Sequence, residues 1–275
     1  MSSCGGPVSG EASAPSTPAT SASSEPPPSS GTSAPPATTT SVPPSARPST
    51  PAPNGKPAPP PGMVVVLDPG HNGGNAAHPE VINQPVPAGR GRTKPCNTTG
   101  TATNSGYTEH AFTWDVAVRV RDLLTARGVR VVMTRPNDTG VGPCVNDRAA
   151  IGNRENAAAV VSIHADGSTT AGAHGFHVAY SSPALNAAQG EPSLRLARAL
   201  RDGLKSAGLA TSNYIGSAGL SPRDDLAGLN LSERPAVLVE CGNMRDAAEA
   251  ATLSSPAGRQ RYAAAIADAI AAYLA

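Results

Sequence analysis

Three apolar runs in this sequence of 275 residues lead into a side chain able to bind a metal or move a proton. The run 63–68 (MVVVLD) passes through Pro69 and Gly70 to His71. The run 158–163 hands over to His164, and 235–239 closes on Glu240. One histidine after an apolar run is ordinarily a loop or core residue. Two at equivalent strand ends, with a carboxylate closing a third, point to a site, because carboxylates are seldom buried without a partner. A hydrolytic zinc takes three nitrogen or oxygen ligands and keeps one position for water. His71 and His164 supply two. The third falls among Glu109, His110, Asp68 and the loop pair His78 and Glu80. Glu109 is favoured by its place at the head of a helix straight after a long loop, although an acid there also complements the helix dipole.

The elements that must position these residues are legible in outline. Valine-rich 63–68, 129–134, 158–166 and 235–240 read as strands, and 175–180 (GFHVAY) alternates well enough to be the fourth strand in chain order. Residues 69–108 hold Gly, Pro, Asn and Thr with little periodicity and read as an unusually long loop, a sign of function. A helix is expected from Thr108 to Gly128 with Phe112, Val116, Val120 and Leu123 on its apolar stripe. Others are expected near 147–157, from Pro192 to Gly208 (Leu196, Leu200, Leu204) and from Pro256 (Tyr262, Ile266, Ile270, Leu274). Residues 209–234 read as loop with a short edge strand at 212–216. Alternating strands and helices predict a single α/β domain: a mostly parallel twisted sheet of about six strands, flanked by helices on both faces. In such sheets chemistry collects at the carboxyl ends of the strands.

Composition divides the chain. Residues 1–61 contain 17 of its 29 prolines and no Leu, Ile, Phe, Tyr or Trp. Such a stretch buries too little apolar surface to offset its chain entropy, so 1–62 is expected to be a disordered Pro/Ser/Thr/Ala-rich tail or linker, with the domain at 63–275. The opening MSSCGG resembles the cut end of a bacterial lipoprotein, which makes Cys4 a candidate for acylation, although no complete secretory signal precedes it. No run reaches the roughly 18 apolar residues of a membrane span, so membrane attachment is expected only through a lipid on Cys4. A formal net charge of +1 excludes a strongly electrostatic nucleic-acid binder. Cys96 and Cys144 lie in Gly/Pro/Asn-rich loops without further zinc-type partners, and in a chain with an export-like tail they read as a disulfide.

The segments LDPGHNGG, YTEHAFTWDVAVRVRDLLTARG, NDRAAIGNRENAAAVVSIHADG, GFHVAY and ERPAVLVECGNM come in one order over 63–275. Together they resemble the zinc-dependent N-acetylmuramoyl-L-alanine amidases of the type-3 family. The resemblance implies one Zn2+ held by His71, Glu109 and His164, with Glu240 as catalytic glutamate. It implies hydrolysis of the amide between N-acetylmuramic acid and L-alanine of the stem peptide. The substrate would be peptidoglycan or a muropeptide, with an exported monomer working in the bacterial periplasm or cell wall. The alternatives are a zinc peptidase of wall peptides and a catalytically silent wall-binding homologue. Cys241-Gly-Asn-Met departs from the family's small residue and Gly-Phe pair, which is expected to alter packing behind Glu240. No wall-binding repeat or long inserted regulatory helix is recognisable, and the loop 72–108, pinned by Cys96–Cys144, is expected to take over part of that control. Arg148 and Asn156 are expected either to order loops or bind peptide carboxylates, or to serve in ion pairing and capping.

Overall fold

A computed structural model describes residues 62–275; the tail and Cys4 lie outside the described residues. The valine run forms β1 (Val64–Pro69). The long loop that follows holds a short helix α1 (Pro79–Ile82) and an antiparallel hairpin, β2 (Pro85–Gly89) and β3 (Arg92–Pro95). Next come α2 (Glu109–Thr125), β4 (Arg130–Met133), α3 (Val145–Arg154) and β5 (Ala159–Asp166). The second half runs β6 (His177–Ser181), α4 (Glu191–Ser206), β7 (Leu220–Arg223), α5 (Ala227–Asn230), β8 (Ala236–Asn243), α6 (Ala247–Ser254) and α7 (Pro256–Leu274). Six strands form one sheet in the order β4-β1-β5-β8-β6-β7. It is parallel except where β6 meets β8.

The two faces of this sheet are covered unequally. Long helices α2, α4 and α7 press Phe112, Val116, Leu196, Leu200, Ile266 and Ile270 onto Val65, Leu67, Ile163, Val178, Val237 and Val239. Each fully buried side chain of this size contributes roughly 1.5–3 kcal/mol, so this face carries most of the stability. The other face has a smaller cluster, Val66, Val160, Ala179, Leu229 and Ala236. Its cover is the short helices α3 and α5 and the hairpin. Side chains alternate across a strand. With Leu67, Ile163, Val178 and Val239 committed to the helical side, Asp68, His164, His177 and Glu240 must all project on the thinly covered side.

The structure corrects several expectations. The apolar stripe of α2 ends on Leu124, which is fully buried, whereas Leu123 only packs at the margin. The edge strand is Leu220–Arg223, not 212–216; near the expected place Thr211 makes a single bridge to Phe176. The hairpin escaped notice because its strands are rich in Pro, Gly and charge and bury only Ala88, leaving no alternation to read. Helix α6, capped by the Asp246 carboxylate on the Ala248 and Glu249 amides, was also missed.

Candidate metal centre

His71 follows the exit of β1 in a left-handed conformation, φ 60°, which is uncommon for a non-glycine residue. Two contacts hold it there. Arg148 donates from Nη2 to the His71 carbonyl at 2.8 Å, and His71 Nδ1 donates to the Thr98 carbonyl at 3.0 Å. With Nδ1 spent on Thr98, Nε2 is the nitrogen turned toward the other two residues, and it is the atom a metal would take in exchange for the Nε2 proton. Gly70 has to be a glycine, since a Cβ there would stand 2.3 Å from the His164 ring.

Glu109 opens α2 and is almost wholly buried, which rules out a purely dipole-serving role on the surface. Its carboxylate bridges the two histidines, Oε2 at 3.1 Å from His71 Nε2 and Oε1 at 2.9 Å from His164 Nδ1. Backbone amides of Thr101 and Ala165 fix both oxygens, at 2.9 and 3.2 Å. The two rings meet edge to face with centroids 5.0 Å apart, and one ligand atom from each of the three residues lies within 4.8 Å of the others. Two imidazoles and a carboxylate, with backbone partners behind His71 and Glu109, suit zinc in chemistry and number. The rivals for the third position are engaged elsewhere. His110 pairs with Asp138 at 2.8 Å, and His78 with Glu80 at 3.0 Å on the surface. Asp68 is tied to Arg148, Thr134 and Ser162.

Glu240 sits beside His164 as its register partner on β8. Its Oε2 is buried with no hydrogen-bond partner among the described residues. Burial, then the neighbouring Glu109 and Asp166 carboxylates, push its pKa well above the ordinary range, against the pull of Arg223. Burial also tends to raise Glu109, but the charge of His71 and hydrogen bonds from both histidines outweigh it and hold that carboxyl well below its usual value. Burial likewise pulls His71 down, and Glu109 more than reverses this. Two carboxyls in one site, driven in opposite directions, separate an anionic ligand from a group able to carry a proton.

Arg148 and Arg135, both buried, fasten the loop that carries His71. Arg148 bonds the carbonyls of Pro69, His71, Gly142 and Pro143, and Arg135 those of Pro69, His110 and Asn137. Arg148 therefore orders the loop instead of waiting for a peptide carboxylate. Asn156 is exposed at the left-handed turn after α3, φ 50°, and is a helix end. Cys96 and Cys144 are bonded, joining the end of β3 to the head of α3. Free Cys241 is buried in the main core behind Glu240. Sequence reasoning missed Arg135, Thr98, Asp166 and His177. Only His177 carried a signal, as the polar residue on the site-facing side of an otherwise apolar strand.

The cluster and Glu240 border a cleft of about 350 Å³ on the thin side of the sheet. Its walls include Lys94 and Pro95 of the hairpin, Val145 and Ala149 of α3, and Leu226 to Leu229 at α5. A His–Glu–His cluster at the strand ends of an α/β sheet, with a raised glutamate on the next strand, is the arrangement of a metal-dependent hydrolase. Residues 65–272 match the family described as N-acetylmuramoyl-L-alanine amidase, and the chain belongs to that family. It is 51% identical over 219 residues to an N-acetylmuramoyl-L-alanine amidase of Mycobacterium tuberculosis, covering 80% of this chain and 89% of that one. The crystal structure of the amidase Ami1 from Mycobacterium smegmatis superposes with a TM-score of 0.75 at 55% identity, over 78% of this chain and 97% of the other. AmiC2 of Nostoc punctiforme, at 26% identity, gives 0.59 over 77% and 97%.

Proposed function

We propose that the protein is a peptidoglycan hydrolase that cleaves the amide between the lactyl group of N-acetylmuramic acid and L-alanine of the stem peptide. The observation that carries this reading is the convergence of His71, Glu109 and His164, beside the buried Glu240, in the cleft of a chain that belongs to a family of amidases. His71, Glu109 and His164 would hold one zinc ion. When bound, zinc supplies Lewis acidity toward the scissile carbonyl and a water acidic enough to attack near neutral pH. Glu240 takes the proton of the attacking water and returns it to the nitrogen of the departing L-alanine, so the amine leaves neutral. The left-handed His71 loop, clamped by Arg148, keeps the first ligand facing the other two.

Glu240→Gln is expected to lower release of stem peptide from a muropeptide by about 10²- to 10⁴-fold with zinc content unchanged. Full turnover by that variant would overturn the role of Glu240. Product masses separate this activity from a zinc peptidase of the wall, since only the amidase divides muramic acid from L-alanine. Zinc binding without any product would instead mark a silent wall-binding homologue. Export, work as a monomer in the periplasm or cell wall, and anchoring through an acyl group on Cys4 belong to the same reading. Export and anchoring are supported by the tail's composition and by the family's wall substrate, while no described helix is long and apolar enough to cross a membrane.

A further inference from the structure

His177 and Glu240 face each other in register across the antiparallel pair β6–β8. Directly opposed residues place their Cβ atoms about 4.5–5.5 Å apart on the same side of the sheet. Both carry a buried polar atom without a partner among the described residues, Nδ1 of His177 and Oε2 of Glu240. A buried polar group without a partner is costly, so two such atoms on register partners are a pair to be joined. The other polar groups near Glu240 are already committed. Tyr214 donates its hydroxyl to Asp166 at 2.9 Å, and Arg223 grips both oxygens of Asp225 at 2.7 and 2.6 Å. Asp166, an acceptor, offers no proton. The Tyr214 ring meets His177 edge to face, centroids 6.5 Å apart, and fixes the plane of the imidazole. Burial pushes His177 down to about 4, against Asp166 and with Arg223, so the ring is neutral and has one N–H to place.

We propose that His177 is a positioning residue for Glu240: its Nδ1–H donates to the buried Oε2 and turns the other carboxylate oxygen into the cleft. The two residues are register partners on one side of the sheet, so the bond joins side chains that already face each other. It rests on the reading of Glu240 as the proton carrier, and its role is to fix the angle from which that proton is taken and returned.

Two measurements on the full chain test this. Nitrogen-15 spectra of histidine-labelled protein are expected to show His177 as the Nδ1–H tautomer, with that resonance displaced by Glu240→Ala. Kinetics on a muropeptide are expected to show His177→Phe losing about 10- to 100-fold in kcat with KM and zinc content unchanged. His177→Asn, whose amide nitrogen takes the place of Nδ1, is expected to recover most of the loss. An Nε2–H tautomer indifferent to Glu240→Ala would overturn the proposal, as would wild-type kcat in His177→Phe. Absence of product from the wild-type protein would instead sink the hydrolase reading, while the spectra would still report the His177–Glu240 bond.

Discussion

Asp68 illustrates how one acidic residue can stand beside the His71–Glu109–His164 cluster and serve another purpose. It projects on the same side of the sheet as His164 and Glu240, which made it a reasonable rival for the third ligand position. The structure gives it Arg148 at 2.7 Å and the hydroxyls of Thr134 and Ser162, both at 2.6 Å. Burial alone would raise its carboxyl; Arg148 and the two hydroxyls outweigh burial and hold it at about 2 instead of 3.8. That difference is worth about 2 kcal/mol, present above the ordinary carboxylate range and lost as the pH falls from about 4 to about 2. Asp68→Asn is therefore expected to lose at least about 2 kcal/mol of stability at neutral pH. Urea unfolding at neutral pH and near pH 3 checks this: the gap to wild type should narrow in acid, and a constant gap would refute the ion-pair account. The sequence displayed Asp68 and Arg148 as candidates, but the partner each would choose, 80 residues away, depends on where α3 packs against the end of β1. His71, His164 and Glu240 stood out because strand ends announce themselves by apolar runs, whereas Glu109, at the head of a helix, stayed one of several rivals until the structure brought it between the two histidines.

Elements were readable in proportion to how strongly water and core divide their side chains. The central strands and the long helices α2, α4 and α7 bury one face or two, so their residues follow a period. The hairpin β2–β3 and the strand β7 bury little and follow none, and both were missed or misplaced. Yet the hairpin matters to the site. The Cys96–Cys144 bond ties it to α3, and Thr98, two residues beyond Cys96, holds the His71 ring. At the other end of the bond, Cys144 precedes the helix that carries Arg148. Closing a loop with a sequence separation of 48 is worth roughly 4 kcal/mol by chain entropy. Replacing both cysteines by serine should lower the thermal midpoint and also weaken zinc binding, read by competition with a chelator. An unchanged midpoint would argue that the bond constrains nothing the fold does not already fix.

For the molecule as a whole, the fold class was accessible from alternation of strand and helix, and the two-sided cover with a parallel centre agrees with it. The unequal thickness of that cover was not, because sequence period reports that a face is buried without saying how deeply. The proposed division at residue 62 assigns stability and chemistry to the domain alone. A chain starting at Gly62 is expected to unfold at the same midpoint as the full chain and to release stem peptide from a soluble muropeptide at the same rate. A lower midpoint or slower release would assign the tail a part in the domain itself.

The alternation that sends Ile163 and Val239 inward and His164 and Glu240 outward also makes the strands intolerant of a change in length. One residue gained or lost within β5 or β8 exchanges the two sets: imidazole and carboxylate enter hydrocarbon, and branched aliphatics enter the cleft. The site and the core are written in opposite phases of the same strands. Divergence in this chain has room for insertions in its turns, whereas along β5 and β8 it must proceed by substitution.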